Sequence, residues 1–137
     1  MFPIHQIFLA REENLVYREH DFTTNSRAAL QLAEVAKFAD RNVFYRLHAS
    51  LFAALFQRGE NIGDRAVLQR LGCEAGMSEQ QVERAWTDEA AAARLRQYQM
   101  AATELEVRAT PTFFVGEKRL DGVVPVVQLM RAAQAAV

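Results

Sequence analysis

Among the 137 residues there are one cysteine, three histidines, three prolines and six glycines, and each scarcity excludes something. A single thiol, Cys73, allows no intrachain disulfide, no CxxC pair and no thiolate zinc cluster. His5, His20 and His48 lie far apart and show no ligand spacing, so no metal site is expected. Charge of one sign is lacking too. Sixteen basic residues against 17 acidic ones leave a formal net charge of −1, with both signs spread along the chain. That is not the basic stripe required for nucleic-acid or anionic-membrane binding. No apolar run approaches the roughly 20 residues that span a bilayer. The opening "MFPIHQIFLAREE" has neither the basic start nor the small-residue cleavage site of a signal peptide. Nucleic acid and membrane are therefore not expected partners, and the expected location is cytoplasmic. With no internal repeat and no Pro/Gly-rich linker, residues 1–137 read as a single domain.

What is present reads mostly as helix. Thr24 or Asn25 can cap a helix over 25–39, in which Ala29, Leu30, Leu32, Ala33, Ala36 and Phe38 recur near the helical period. Asp40 then caps a more apolar helix with Val43, Phe44, Leu47, Leu51, Phe52, Leu55 and Phe56 on a wide stripe, ended by Gly59. A short helix is predicted over Asp64–Ala75, stopping at Gly76. Ser78 and Gln81 form a capping-box pattern for the next, which carries Val82, Ala85 and Trp86. Thr87 or Asp88 opens an alanine-rich helix reaching about Leu105. Trp86, Tyr98 and Met100 are expected in the core, and the acid pairs Glu12–Glu13 and Glu104–Glu106 on solvated faces. Near the N-terminus, Ile4, Ile7 and Phe8 fall on one helical face. Asn14 suits a left-handed end before an extended piece, Leu15–Tyr17.

The C-terminal part differs. "RATPTFFVGEKRLDG", residues 108–122, gives two short strands, Thr112–Val115 and Lys118–Leu120, joined around Gly116 and Glu117. "VPVVQLMRAAQAAV" then closes the chain as a helix with Pro125 in its first turn. Pro111 stands at the entrance of the first strand, where it donates no ladder hydrogen bond. One reading is an ordinary edge strand that begins with proline. The other follows from the order of elements: long helix, Thr-Pro-Thr, apolar strand, hairpin, helix. That order resembles the second half of a thioredoxin-type fold, in which the bond preceding this proline is cis.

Several longer stretches add to this. "NSRAAL" opens the helical block, "LFAALFQRGENIGD" holds a glycine turn between helices, "GCEAGM" ends the next helix and "TPTFFV" forms the proline strand. Together they resemble the DsbA-like thioredoxin family, in the branch of FrnE-type dithiol–disulfide oxidoreductases and 2-hydroxychromene-2-carboxylate isomerases. The likeness runs from about Asn25 to the C-terminus. It implies an α/β, mostly helical chain: an incomplete thioredoxin-like fold with an all-helical insertion over 25–105 and a C-terminal ββα element over 106–137. It also implies substrate-binding positions at Thr110, Pro111 and Thr112, whose backbone can pair with an extended peptide or with glutathione, and at Asp121 and Gly122 in the turn before the last helix.

The family's catalytic motif, CxxC or a serine-containing variant, lies ahead of the insertion, and no counterpart is visible here. "FTTNS" places Thr23, Thr24 and Ser26 at a helix cap and not at a nucleophile position, so the chain looks like the C-terminal two-thirds of the family and no catalytic residue is assigned. Thiol–disulfide exchange needs an attacking thiolate and usually a resolving thiol. Cys73, near a helix C-terminus, reads as a small buried hydrophobe. His48 reads as a partly buried, hydrogen-bonded histidine without a catalytic role, and Phe113 and Phe114 as one core residue and one helix contact.

Three function classes follow. One is a thiol–disulfide oxidoreductase or isomerase of this family, lacking its redox centre in these residues. A second is a non-catalytic module binding a thiol, a peptide or glutathione, and a third is a helical interaction scaffold. A homodimer is expected as well, because two short strands leave an open sheet edge. It would form by edge-to-edge pairing of the hairpins or, slightly preferred, by exchange of segment 1–22, whose "IHQIFL" and "NLVY" lack an evident home in their own chain.

Overall fold

The computed structural model describes residues 10–136. The helical face of Ile4, Ile7 and Phe8 lies outside the described residues. The chain packs as two compact units, Met1–Leu95 and Arg96–Val137. The boundary falls about ten residues before the end of the helical block read from the sequence.

In the first unit, residues 10–12 are helical, and Asn14 adopts φ 58°, the left-handed conformation an asparagine tolerates. Leu15–Tyr17 is not a strand. Its surroundings provide side-chain and single-bond anchors and no ladder: Tyr17 stacks on Phe56, and the Arg18 N–H donates to the Phe56 carbonyl at 2.6 Å.

Helix α1 spans Arg27–Ala39 and starts two residues later than the sequence suggests. Ser26 occupies the cap position, while Asn25 accepts from the Arg27 N–H at 3.0 Å. Asp40 caps α2, Arg41–Phe52, through the N–H groups of Val43 and Asn42. Those two bonds, Val43's first, hold its carboxyl below the ordinary value of 3.8. The helix continues as a π-helical turn, Ala53–Arg58, and Gly59 ends it at φ 67°. Asp64 caps α3, Arg65–Glu74, and Ser78 with Gln81 makes both bonds of the capping box on α4, Glu79–Ala85. Asp88 accepts from the Ala91 N–H at 2.7 Å where α5, Glu89–Glu104, begins.

Leu32, Leu47, Leu68, Leu71 and Val82 are fully buried between these helices. The apolar stripe read on α2 is wider than the face that is covered. Leu47 and Leu51 are buried, but Phe52 and Tyr45 are exposed and Phe44 is half-buried, because α1 and α3 pack on one side of α2. Leu30 and Phe38 of α1 are exposed for the same reason. Buried Glu34 pairs with Arg94, 2.9 Å away, whose guanidinium stacks 3.9 Å from the Phe38 ring.

In the second unit, β1 (Thr112–Val115) and β2 (Lys118–Asp121) form an antiparallel pair with Thr112 opposite Asp121, Phe113 opposite Leu120 and Phe114 opposite Arg119. Gly116 turns the hairpin at φ 60°. Helix α6, Val126–Ala135, packs on β1. Pro125 sits just ahead of this helix and not in its first turn, with a non-helical ψ of 142°. Tyr98 and Met100, read as core, are exposed on α5. An alanine-rich helix has a narrow inner face, and Ala91 is the residue that α5 buries fully. Among the described residues, no helix is long and apolar enough to cross a membrane.

Gly72 makes the tightest core approach: a Cβ there would lie 2.6 Å from Cγ2 of Val82. Gly72→Ala is expected to cost about 1–3 kcal/mol through overpacking. Val82→Ala added to it should recover part of that loss, so the double variant unfolds at higher denaturant than additivity of the single changes allows.

Candidate functional site at the Thr110–Pro111 hairpin mouth

The C-terminal end of α5 sets up the site. Leu105 donates to the Ala101 carbonyl, and Glu106 then turns left-handed at φ 52°, so that the chain leaves the helix for Pro111. The Thr110–Pro111 peptide bond is cis, as the sequence leads one to expect. The five positions that the family resemblance implies for substrate binding lie at the hairpin mouth. The Gly122 N–H donates to the Pro111 carbonyl at 2.7 Å. The Thr112 hydroxyl lies 2.7 Å from the Ala109 carbonyl and 3.1 Å from Oδ1 of Asp121. Gly122 and Asp121 thus direct their hydrogen bonds into the hairpin.

Arg119 was not singled out from the sequence, and it organises this end. Its Nε donates to both oxygens of Asp121, at 2.9 and 3.0 Å, while its two terminal nitrogens donate to the carbonyls of Leu105 and Glu106. The planar fork of guanidinium suits such a set of acceptors, and a lysine has no equivalent. The available signal was the i, i+2 spacing of Arg119 and Asp121, which puts both side chains on one face of a strand. The Arg119 bond, with a further contribution from Thr112, holds the Asp121 carboxyl below its ordinary value of 3.8.

The backbone register decides which groups face outward. Neighbouring residues of a strand direct their N–H and C=O groups to opposite edges. Pro111 faces β2, through Gly122, so Thr112 and Phe114 direct theirs away from β2. Thr110 is exposed, and among the described residues its N–H and C=O have no hydrogen-bond partner. Phe114 is 48% exposed, with the Arg119 guanidinium 5.9 Å from its ring centroid, so it is not a core residue; Phe113 is the half-buried one.

The remaining candidates belong to the helical unit. Cys73 is half-buried on α3 against the core, with Nε2 of Gln69 4.0 Å from its sulfur. His48 is exposed, contrary to the sequence reading, because it lies on the uncovered side of α2 between the Phe44 and Phe52 rings at 5.6 and 4.9 Å. His20 stacks on Phe22, its Nδ1 2.9 Å from the Phe22 carbonyl. Among the described residues, no group of His, Cys, Asp and Glu is arranged to hold a metal ion.

Because Asp121 is lowered in the folded state, its contribution to stability is fully present above the unfolded carboxyl's range and is lost as pH falls through the folded value. Protection of the hairpin amides from hydrogen exchange should therefore drop at pH below about 4. In Asp121→Asn that acid step should be absent, and Arg119→Lys should lower protection at neutral pH.

A family model for the DSBA-like thioredoxin domain matches residues 8–134 of the sequence. No curated protein matches the chain. The match takes in the helical block, the proline loop and the hairpin, and the mostly helical α/β architecture is that of a partial thioredoxin-like fold. The chain belongs to the DSBA-like thioredoxin domain family and is a protein of the thiol–disulfide oxidoreductase class.

Proposed function

We propose that this chain binds an extended, thiol-bearing peptide or glutathione along the outer edge of β1, and that its 137 residues carry no redox centre of their own. The observation that supports this most is the exposed Thr110, whose N–H and C=O are unpartnered among the described residues, two positions ahead of β1 and its open edge. An extended ligand adding to such an edge gains main-chain hydrogen bonds. Exchange within one chain would need a second thiol to close a disulfide and release the substrate, and only Cys73 is present. Cys73 is limited to a mixed disulfide. The motifs "NSRAAL", "GCEAGM" and "TPTFFV" favour the FrnE-type and 2-hydroxychromene-2-carboxylate isomerase branch.

The same edge supports a second reading, a homodimer built by pairing of hairpins. A two-stranded sheet is marginal alone, and exposed Phe114 adds apolar area beside the open edge. Exchange of 1–22 has less support, since Tyr17 and Arg18 are engaged with Phe56 of their own chain.

Titration with reduced glutathione or a cysteine-containing hexapeptide should shift the amide resonances of Thr110, Thr112 and Phe114 saturably at roughly millimolar ligand. A hexapeptide N-methylated at the pairing residue should bind more weakly; equal binding would remove the edge-pairing reading. Insulin reduction by the purified chain should not exceed that of Cys73→Ser. Sedimentation should show self-association that rises with concentration, is abolished by Phe114→Glu and is competed by the hexapeptide.

A further inference from the structure

We propose that the helical unit carries a second ligand site, for a small anion bearing a carboxylate or a phosphate, between the first turns of α1 and α3 and the end of α4. This inference is independent of the hairpin edge. The cavity there has a volume of about 350 Å³, and its walls include Arg27, Arg65, Asn25, Gln31 and Trp86. The net charge of the chain is −1, yet the charged groups lining this cavity are two guanidiniums with no carboxylate among them.

Among the described residues neither arginine is paired with a carboxylate. Glu34, Glu60, Glu74, Glu106 and Asp121 pair with other cations, and among the described residues no ion pair involves Arg27 or Arg65. Asp64, beside Arg65 in sequence, accepts from the Ala66 N–H, and Asp88 from the Ala91 N–H, so both nearby acids act as caps. The Arg65 guanidinium lies 5.5 Å from the Trp86 ring centroid. A π face holds a guanidinium in place without neutralising it, which leaves the charge available.

The uncharged polar groups are oriented as well. Asn25 accepts from the Arg27 N–H at 3.0 Å through Oδ1, so its amide NH2 remains to donate. Gln31 donates to the Ala85 carbonyl at 2.8 Å and more weakly to the Asp88 carbonyl at 3.4 Å, which anchors it and leaves Oε1 as an acceptor. Two forked cations and an amide donor match a carboxylate or phosphate, and the single acceptor matches the hydroxyl of a hydrogen phosphate or a hydroxy acid. The cavity also leaves room for more than the anionic group, beside an aromatic wall.

Trp86 is the single tryptophan of the chain, so its fluorescence reports this site directly. Titration with inorganic phosphate, and separately with malate, against sodium chloride at matched ionic strength, should give a saturable change for at least one of the two anions. Phosphate alone or malate alone identifies the group; both together identify a general oxyanion site. Arg27→Ala should weaken binding about tenfold or more, as loss of a hydrogen bond to a charged group does. Arg131→Ala, on α6, should leave it unchanged. Because Arg65→Ala also alters the environment of the ring, that variant is read by the Ala28 and Gly63 amide shifts instead, with the same weakening expected. Responses no different from sodium chloride, or affinity that survives Arg27→Ala, would overturn the site.

Discussion

The guanidinium of Arg119 is the constraint on which the second unit depends. It gathers the carbonyls of Leu105 and Glu106, at the end of α5, and the carboxylate of Asp121, at the end of β2. One side chain thereby determines where the helix stops, where the hairpin closes and how Thr112 is oriented, since Thr112 shares the same carboxylate. Strands of four residues have little ladder to hold them in register. A planar donor with several fixed N–H directions supplies what the short ladder does not, and charge-assisted bonds are stronger than neutral ones. Glu106 adopts a left-handed backbone in a residue other than glycine, which is disfavoured locally. The bond from Arg119 to its carbonyl is one compensation.

The helical unit is organised on a different principle. Asp40, Asp64, Ser78 and Asp88 each satisfy free N–H groups at a helix start, so every junction is defined by bonds spanning two or three residues. Packing then needs small residues where helices approach closely: Ala36, Ala54 and Ala85 are fully buried among the leucines, and Gly72 admits Val82. The interior is dense enough that one methyl group at residue 72 is felt. Buried Glu34 is held by Arg94 and Lys37, which keeps a charged group tolerable inside an otherwise apolar core.

The proposed function rests on a backbone edge that receives an extended ligand, and thiol exchange would need a reactive thiol as well. The two requirements separate here. The edge follows from strand alternation: once the Pro111 carbonyl accepts from Gly122, the groups of Thr112 and Phe114 face away from β2. The thiol depends on cysteine pairing, and Cys73, half-buried on α3, has no second cysteine in the chain. On the proposed reading these residues offer an open edge to an extended ligand, while exchange within one chain would need a second thiol beside Cys73.

Much of this architecture was legible in the residues themselves. The caps at Asp40, Ser78 and Asp88, the glycine ends at Gly59 and Gly76, the left-handed Asn14 and the two strands all follow from interactions within a few positions. Side-chain type determines those interactions wherever the segment ends up. The resemblance pointed to Thr110, Pro111 and Thr112 and, separately, to Asp121 and Gly122; the hairpin brings Thr112 opposite Asp121. What only the tertiary structure decided is which part of each helix is covered and which distant group answers a donor. Phe52, Tyr98 and Met100, read as inner, and His48, read as partly buried, are all exposed. Arg119 finds Leu105 and Glu106 across 14 and 13 positions, and Gln31 finds Ala85 across 54. Periodicity records how apolar a face is but not whether another helix lies against it. A donor's sequence neighbours likewise do not reveal the acceptor that folding brings to it.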